Sequence, residues 1–93
     1  MGEKNIRVLL ADDHPFVRAG IRATLQVESD ISLVGEACNG EEARRMCKDL
    51  MPDVLLLDLD MPKHRPADTV TYVQQECQGT KIVVLTAFDD DAY

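Results

Sequence analysis

The most constraining feature of the chain is a short apolar stretch that lies between two prolines and ends on an acidic residue. Between Pro52 and Pro62, residues 54–59 are apolar except for Asp58. A run of this length is too short to span a membrane and is typical of a strand buried on both faces of a sheet. In an open parallel sheet, ligands collect at the carboxyl ends of the strands, where Asp58 falls. Asp58 is therefore a candidate reactive group, although on this stretch alone it equally fits the start of a turn.

Short apolar runs alternate with helical periodicity along the rest of the chain. Further strands are predicted at residues 6–11, 31–37 and 81–85. Helices are predicted from Pro15 to about residues 29–30, from residue 40 to just before Pro52, and over residues 67–78. The third of these also has strand character, but Gly79 is a good helix stop and a helix preserves the alternation. Acidic residues 89–91 predict the first turn of a further helix.

This order of elements predicts the fold class. A βαβαβαβ pattern with short connections indicates a single α/β domain, a flavodoxin-like doubly wound parallel sheet with strand order 2-1-3-4. A chain of 93 residues is long enough to bury one modest core.

Charge and cysteine usage narrow the class further. The net charge of −7 argues against nucleic acid or an anionic membrane as a direct partner. The three cysteines, Cys38, Cys47 and Cys77, lack metal-binding spacing, so we expect small buried residues in a reducing compartment. The N-terminal residues contain no apolar signal region. These features favour a cytoplasmic protein.

Polar residues follow three of the four predicted strands. Asp12 and Asp13 follow the first, Asp58 ends the third, and Thr86 follows the fourth. Strands one, three and four are adjacent in the order 2-1-3-4, so we expect these side chains to converge on one crevice. Carboxylates held close together repel unless a cation joins them, and oxygen ligands suit Mg²⁺. The Thr86 hydroxyl adds a donor for a phosphoryl oxygen.

Three motifs at these strand ends carry a resemblance to a known family. The segments Ala-Asp-Asp-His-Pro at 11–15, Asp-Leu-Asp-Met-Pro at 58–62 and Val-Leu-Thr-Ala-Phe-Asp at 84–89 resemble those of the receiver domain of bacterial response regulators, of the NarL/FixJ type. The resemblance extends over residues 6–93 and implies a switch operated by phosphorylation from a sensor histidine kinase. It implies no enzymatic activity beyond self-phosphorylation and autodephosphorylation.

The resemblance also implies a role for each matching residue. Asp58 becomes the phosphoacceptor. Mg²⁺ is held by the acids and by one backbone carbonyl, namely Asp12, Asp13, Asp58 and the carbonyl of Asp60. Thr86 moves toward the phosphoryl oxygens, and the small Ala87 leaves room for the phosphodonor.

The chain departs from the family pattern at its C-terminal end. Receivers continue through a fourth helix, a fifth strand that carries a phosphate-binding lysine, and a fifth helix. None of Lys48, Lys63 and Lys81 stands at a site-facing strand end. We therefore interpret residues 1–93 as a truncated receiver whose catalytic lysine lies beyond the chain end. Truncation would expose the fourth strand, so we expect a homodimer through that side.

Several alternatives remain open from the residues alone. One is a pseudo-receiver that keeps the acidic pocket and acts as a dimerisation or protein-interaction module without phosphate. A flavin- or nucleotide-binding protein is a weaker alternative, because no phosphate-binding glycines follow the first strand. A hydrolase with an aspartyl nucleophile would use Asp60 as its acid/base partner.

The two histidines receive structural interpretations. His14 is interpreted as part of the helix start rather than as a ligand. His64 lies in a basic loop at residues 63–66, which we expect to be solvated, and nothing around it suggests a phosphotransfer histidine.

Overall fold

The structure, a computed structural model, describes residues 5–85 as a four-stranded parallel sheet with three helices. The strands are β1 (Ile6–Ala11), β2 (Ile31–Ala37), β3 (Val54–Asp58) and β4 (Lys81–Leu85), and the helices are α1 (Pro15–Gln26), α2 (Gly40–Leu50) and α3 (Pro66–Glu76). The strand order β2-β1-β3-β4 confirms the predicted flavodoxin-like α/β topology. None of these helices has the length and apolar character needed to cross a membrane.

The helices cover both faces of the sheet. A Cβ atom on Gly35 would touch Met46 and Leu50 of α2, so Gly35 faces that helix. The next residue of β2, Glu36, points to the opposite face and pairs with Arg22 of α1. The apolar core lies mainly on the α2 and α3 side, and its fully buried members come from the sheet, from α2, and from α3 with its C-cap residue: Leu9, Ala11, Ala37, Ala43, Cys47, Leu55, Leu57, Val73 and Cys77.

The side chain of Asn39 caps the start of helix α2. The side chain of Asn39 accepts a hydrogen bond from the backbone N–H of Glu42, at 2.8 Å. Glu42 in turn accepts one from the backbone N–H of Cys38, at 2.9 Å, which is the reciprocal pattern of a capping box. The helix ends at Leu50, and its C-cap residue Met51 has a left-handed backbone (φ 48°) and precedes Pro52. These local contacts fix α2 immediately beside the carboxyl end of β2.

The structure corrects three details of the sequence interpretation. Helix α1 ends at Gln26 rather than near residues 29–30, because Val27 is 78% exposed and has no core to join. Cys47 and Cys77 are buried as expected, but Cys38 is exposed. It lies in the connection that caps α2, where its thiol contacts Glu42. Residues 66–76 form a helix, which confirms the third predicted helix but moves its bounds from 67–78.

Some predictions concern residues outside the described part of the chain. Thr86, Ala87 and the acidic residues 89–91 all follow Leu85, the last described residue. Their predicted roles stay predictions.

Candidate functional site

Two neighbouring strands deliver acidic residues to the same edge of the sheet. β1 and β3 pair in parallel with Ala11 opposite Leu57. Asp12 therefore follows β1 at the level where Asp58 ends β3. Both residues are almost fully buried, with 2% and 3% of their surface exposed. Buried carboxylates at the carboxyl edge of a parallel sheet are placed for ligand chemistry.

The acids converge with a histidine. One oxygen each of Asp12, Asp13 and Asp58 and a ring nitrogen of His14 all lie within 4.8 Å of one another. Nδ1 of His14 is 3.1 Å from Oδ1 of Asp12, 3.0 Å from Oδ1 of Asp13 and 3.7 Å from Oδ2 of Asp58. The convergence predicted from the strand order is therefore present for the three acids. The sequence interpretation of His14 as a helix start did not include its ring in this cluster.

Backbone donors orient two of the carboxylates. The N–H of His14 donates to Oδ1 of Asp12 at 2.7 Å, and the N–H of Asp60 donates to Oδ1 of Asp58 at 3.0 Å. In both cases the donor lies two residues after the acid, so the loop that leaves each strand holds the acid in place. Oδ2 of Asp58 is left facing the cluster, 3.7 Å from the His14 nitrogen.

The fit of this cluster to a cation rests on Asp13. Its Oδ1 atom is buried and has no hydrogen-bond partner among the described residues. Nδ1 of His14 is 3.0 Å away but is hydrogen-bonded to Asp12 instead. A buried carboxylate oxygen without a donor is costly, and a bound cation would satisfy it. Three carboxylates with one such oxygen fit a hard divalent ion, which uses few carboxylates and keeps several waters.

Burial controls the acidity of the candidate acceptor. Burial raises the pKa of Asp58, and the negative charges of Asp12 and Asp13 raise it further. The Asp60 N–H and the His14 ring act in the opposite direction. The pKa of His14 is raised, mainly by its hydrogen bond to Asp12 and then by the charge of Asp13. Positive charge next to the cluster is thus favoured in the folded protein.

A group of charged side chains on α1 and β2 supports the loop after β1. Arg18 donates from Nη1 to the backbone carbonyl of Asp12 at 2.8 Å. Arg22 makes two hydrogen bonds to the carboxylate of Glu36, at 2.7 and 2.9 Å, and Nε of Arg18 is 3.4 Å from the same carboxylate. The hydrogen bond from Arg22 lowers the pKa of Glu36. These contacts were not predicted from the sequence.

The basic loop after β3 is only partly solvated. Lys63 and Arg65 are exposed as expected, but the ring of His64 is half-buried. Its Nε2 lies 2.8 Å from the hydroxyl of Thr69, which also accepts a hydrogen bond from Arg44 at 2.9 Å. Burial, followed by the charge of Arg44, lowers the pKa of His64. The loop that leaves the Asp58 strand is thereby attached to both α2 and α3.

The described lysines do not reach the acidic cluster. Lys81 begins β4, whereas Asp58 pairs with Leu85 at the other end of that strand. Lys48 pairs with Glu76 between α2 and α3. Lys63 lines a cavity of about 390 Å³ between the α2 start and the loop after β3. These positions agree with the expectation that none of the three stands at a site-facing strand end.

Comparison with known families identifies the arrangement. A family model described as the response regulator receiver domain matches residues 8–93. The chain belongs to this receiver family. As a member, it is a receiver domain of two-component response regulators, a family whose domains bind Mg²⁺ at an acidic pocket.

Individual relatives agree with the family assignment. The receiver is 44% identical over 86 residues to the transcriptional regulatory protein LiaR of Bacillus subtilis, a match that covers 92% of this chain and 41% of LiaR. The receiver therefore spans about two fifths of the length of that relative.

Solved structures show the same fold. The signal receiver domain of the putative response regulator NarL from Mycobacterium tuberculosis superposes with a TM-score of 0.84 at 34% identity, over 96% of this chain and 72% of that one. RcsB of Salmonella enterica serovar Typhimurium, solved bound to the promoter rprA with the phosphomimetic BeF₃⁻, gives a TM-score of 0.83 at 30% identity, over 96% of this chain and 46% of that one.

Proposed function

We propose that the receiver accepts a phosphoryl group on Asp58 in the presence of Mg²⁺. The observation that carries the proposal is the convergence of Asp12, Asp13 and Asp58 within one cluster that includes a buried carboxylate oxygen without a donor. The ion would be held by these three carboxylates and by the backbone carbonyl of Asp60. The solved structure of the relative RcsB with a phosphomimetic supports the same type of chemistry.

Asp58, Asp12 and Asp13 would have different roles in phosphoryl transfer. Oδ1 of Asp58 is held by the Asp60 N–H, so Oδ2 is the oxygen free to attack phosphorus. A bond forms between Oδ2 and phosphorus while the bond to the leaving group breaks, and the leaving group departs with that electron pair. Phosphoryl transfer depends mainly on positioning and charge stabilisation, and the metal ion supplies the neutralising charge. Asp12 and Asp13 would hold such an ion beside Asp58.

Thr86 and Ala87 complete the proposed site. They follow β4, which pairs with the Asp58 strand. A hydroxyl at Thr86 would donate to a phosphoryl oxygen, and the small side chain of Ala87 would leave the approach open. The movement of Thr86 toward the phosphoryl group would bias the receiver between two conformations.

We propose two partners, a sensor histidine kinase and a second copy of the receiver. The phosphodonor would be the phosphohistidine of a sensor histidine kinase, because the receiver family operates in two-component systems. A second copy of the receiver is the other partner. Among residues 5–85, β4 pairs only with β3, and Val83 and Val84 are each 46% exposed. Apolar residues on a free strand edge favour association between copies.

The test of the proposed function is the intact mass after incubation with acetyl phosphate and Mg²⁺. We expect a gain of one phosphoryl group that hydroxylamine removes, because an acyl phosphate is labile to that nucleophile. The Asp58→Asn variant should gain nothing. The Asp49→Asn variant is the matched control, since it also removes one acid but from the exposed face of α2, and it should be modified like the unchanged receiver.

Two outcomes would contradict the proposal. Modification of the Asp58→Asn variant would place the phosphoryl group elsewhere. Absence of modification in the unchanged receiver, with Mg²⁺ bound, would instead favour the interaction module that keeps the acidic pocket without using phosphate.

A further inference from the structure

His14 is held at the mouth of the acidic cluster by its backbone. It precedes α1 as the N-cap residue with extended dihedral angles (φ −102°, ψ 111°), but its side chain makes no capping hydrogen bond. Its N–H donates to Asp12 and its carbonyl accepts from the N–H of Arg18 at 3.0 Å. The next residue, Pro15, is the first residue of the helix, where proline is favoured. The ring therefore does not cap the helix and contacts the acidic cluster instead.

The ring nitrogen stands where a metal ligand would stand. In an octahedral site with metal–ligand bonds of about 2.1 Å, neighbouring ligand atoms lie about 3 Å apart. Nδ1 of His14 is 3.0 and 3.1 Å from single oxygens of Asp13 and Asp12, and 3.7 Å from Oδ2 of Asp58. The orphaned atom of the cluster, Oδ1 of Asp13, is the oxygen at 3.0 Å. One ion could thus contact this oxygen and the imidazole together.

We propose that Nδ1 of His14 is a direct ligand when the acidic cluster binds a divalent first-row transition-metal ion. This inference rests on the proposed function, because it concerns the same metal site. An imidazole suits transition metals, whereas Mg²⁺ prefers oxygen ligands. His14 therefore shifts the selectivity of the site away from Mg²⁺ and toward later first-row ions such as Co²⁺. The nitrogen binds through its lone pair, so the proton that Nδ1 shares with Asp12 is released to solvent.

The ring has the freedom that ligation requires. The His14 side chain is 53% exposed, whereas the Asp12 and Asp58 side chains are 3% and 5% exposed. Asp12 and Asp58 thus form the buried side of the cluster, and the imidazole lies at its solvent side. A small tilt of the ring would adjust the nitrogen to ions of different radius without disturbing the core.

The direct test is pulsed electron paramagnetic resonance of Mn²⁺ bound to the receiver without any affinity tag. Nitrogen of a coordinated imidazole produces ¹⁴N modulation that a purely oxygen-ligated ion lacks. The chain contains two histidines, so the source of the signal can be assigned. We expect modulation in the unchanged receiver and in the His64→Gln control, and its loss in the His14→Gln variant.

A second measurement gives the selectivity. Co²⁺ and Mg²⁺ affinities are measured by calorimetry for the unchanged receiver and for His14→Gln. We expect the ratio of Co²⁺ to Mg²⁺ affinity to fall by about tenfold or more in the variant, the size typical of a perturbed metal site. Mg²⁺ affinity should be kept, because the oxygen ligands remain.

The outcomes separate this inference from the proposed function. Mn²⁺ that binds the unchanged receiver without ¹⁴N modulation would overturn the role of His14 and leave the acidic metal site intact. An unchanged affinity ratio in His14→Gln would do the same. Absence of Mn²⁺ and Mg²⁺ binding, or binding that survives Asp13→Asn together with Asp58→Asn, would overturn the metal site itself.

Discussion

Gly40, at the start of α2, shows how a single residue fixes the loop beside the candidate acceptor. A Cβ atom placed there would overlap Cδ2 of His64 and lie 3.0 Å from Nε2 of the same ring. The ring in turn lies against Thr69 of α3. Glycine at this position therefore allows the loop after β3 to pack closely against α2. Neither residue looks important in the sequence, because the contact joins positions that lie far apart in the chain.

We predict that Gly40→Ala destabilises the receiver by about 1–3 kcal/mol, the usual cost of forcing an extra methyl group into a packed site. Gly20→Ala is the matched control, because a Cβ at Gly20 meets nothing within 4 Å. Gly20 lies inside α1, so alanine there should stabilise by about 0.5–1 kcal/mol. Urea unfolding of the two variants measures both effects. If Gly40→Ala costs as much in a His64→Ala background as alone, the ring is not the obstacle.

Helix α1 is held to the sheet differently from α2 and α3. None of its residues is buried within the described part of the chain, whereas α2 buries Ala43 and Cys47. Its polar attachments are the hydrogen bonds of Arg22 to Glu36 and of Arg18 to the carbonyl of Asp12. The second of these reaches the loop that carries the acidic cluster. The mobility of α1 should therefore affect the cluster more than the core.

We predict that Arg22→Ala loosens α1 and destabilises the receiver only slightly, because the ion pair is partly exposed and screened by solvent. Hydrogen exchange in α1 should accelerate more than exchange in α2. The control is Lys48→Ala, which breaks the exposed pair with Glu76 and should leave α1 exchange unchanged. Equal acceleration of both helices in Arg22→Ala would contradict the attachment.

The pair of Arg22 and Glu36 also makes the stability of the receiver depend on pH. The Glu36 pKa is lowered from its usual 4.5 by the hydrogen bond from Arg22. A group with a lowered pKa in the folded state stabilises the protein above the unfolded-state pKa, and this contribution is lost as the pH falls through the folded-state pKa. The difference in stability between the unchanged receiver and Arg22→Ala should therefore be full at neutral pH and shrink under acidic conditions below pH 4.5.

Elements were easier to predict from the sequence than contacts between them. All seven helices and strands of residues 5–85 follow from apolar periodicity and from stop signals such as Pro52 and Gly79. Asp12, Asp13 and Asp58 follow from the rule that the carboxyl ends of neighbouring parallel strands meet. The ring of His14 and the Gly40 contact could not be predicted in this way, because they depend on side-chain directions and on distances between elements. The end of α1 likewise depends on whether Val27 packs against a core, which the sequence alone does not show.

At the scale of the whole molecule, the two edges of the described sheet differ. β2 forms one edge, and all of its residues are at least partly buried. β4 ends the strand order on the other side, and its Val83 and Val84 are each 46% exposed. Val83 pairs with Leu56 and Val84 with Leu57, so their side chains point to opposite faces. A partner at this side would bury apolar surface on both faces of the sheet.

We predict that the receiver associates reversibly through β4 and that a charge on this strand weakens the association, because a lysine on an edge strand disfavours pairing with another chain. Sedimentation velocity over a range of concentrations should show a dimer that Val83→Lys and Val84→Lys each shift toward monomer. Val27→Lys is the matched control, since Val27 is 78% exposed but lies after α1, away from β4. A receiver that remains monomeric at all concentrations would contradict the association, and a Val27→Lys variant that dissociates as readily as the strand variants would place the contact elsewhere.

Phosphorylation of Asp58, which ends the strand paired with β4, should change the dimer fraction, because any movement of Asp58 is transmitted directly to the strand that carries the contact.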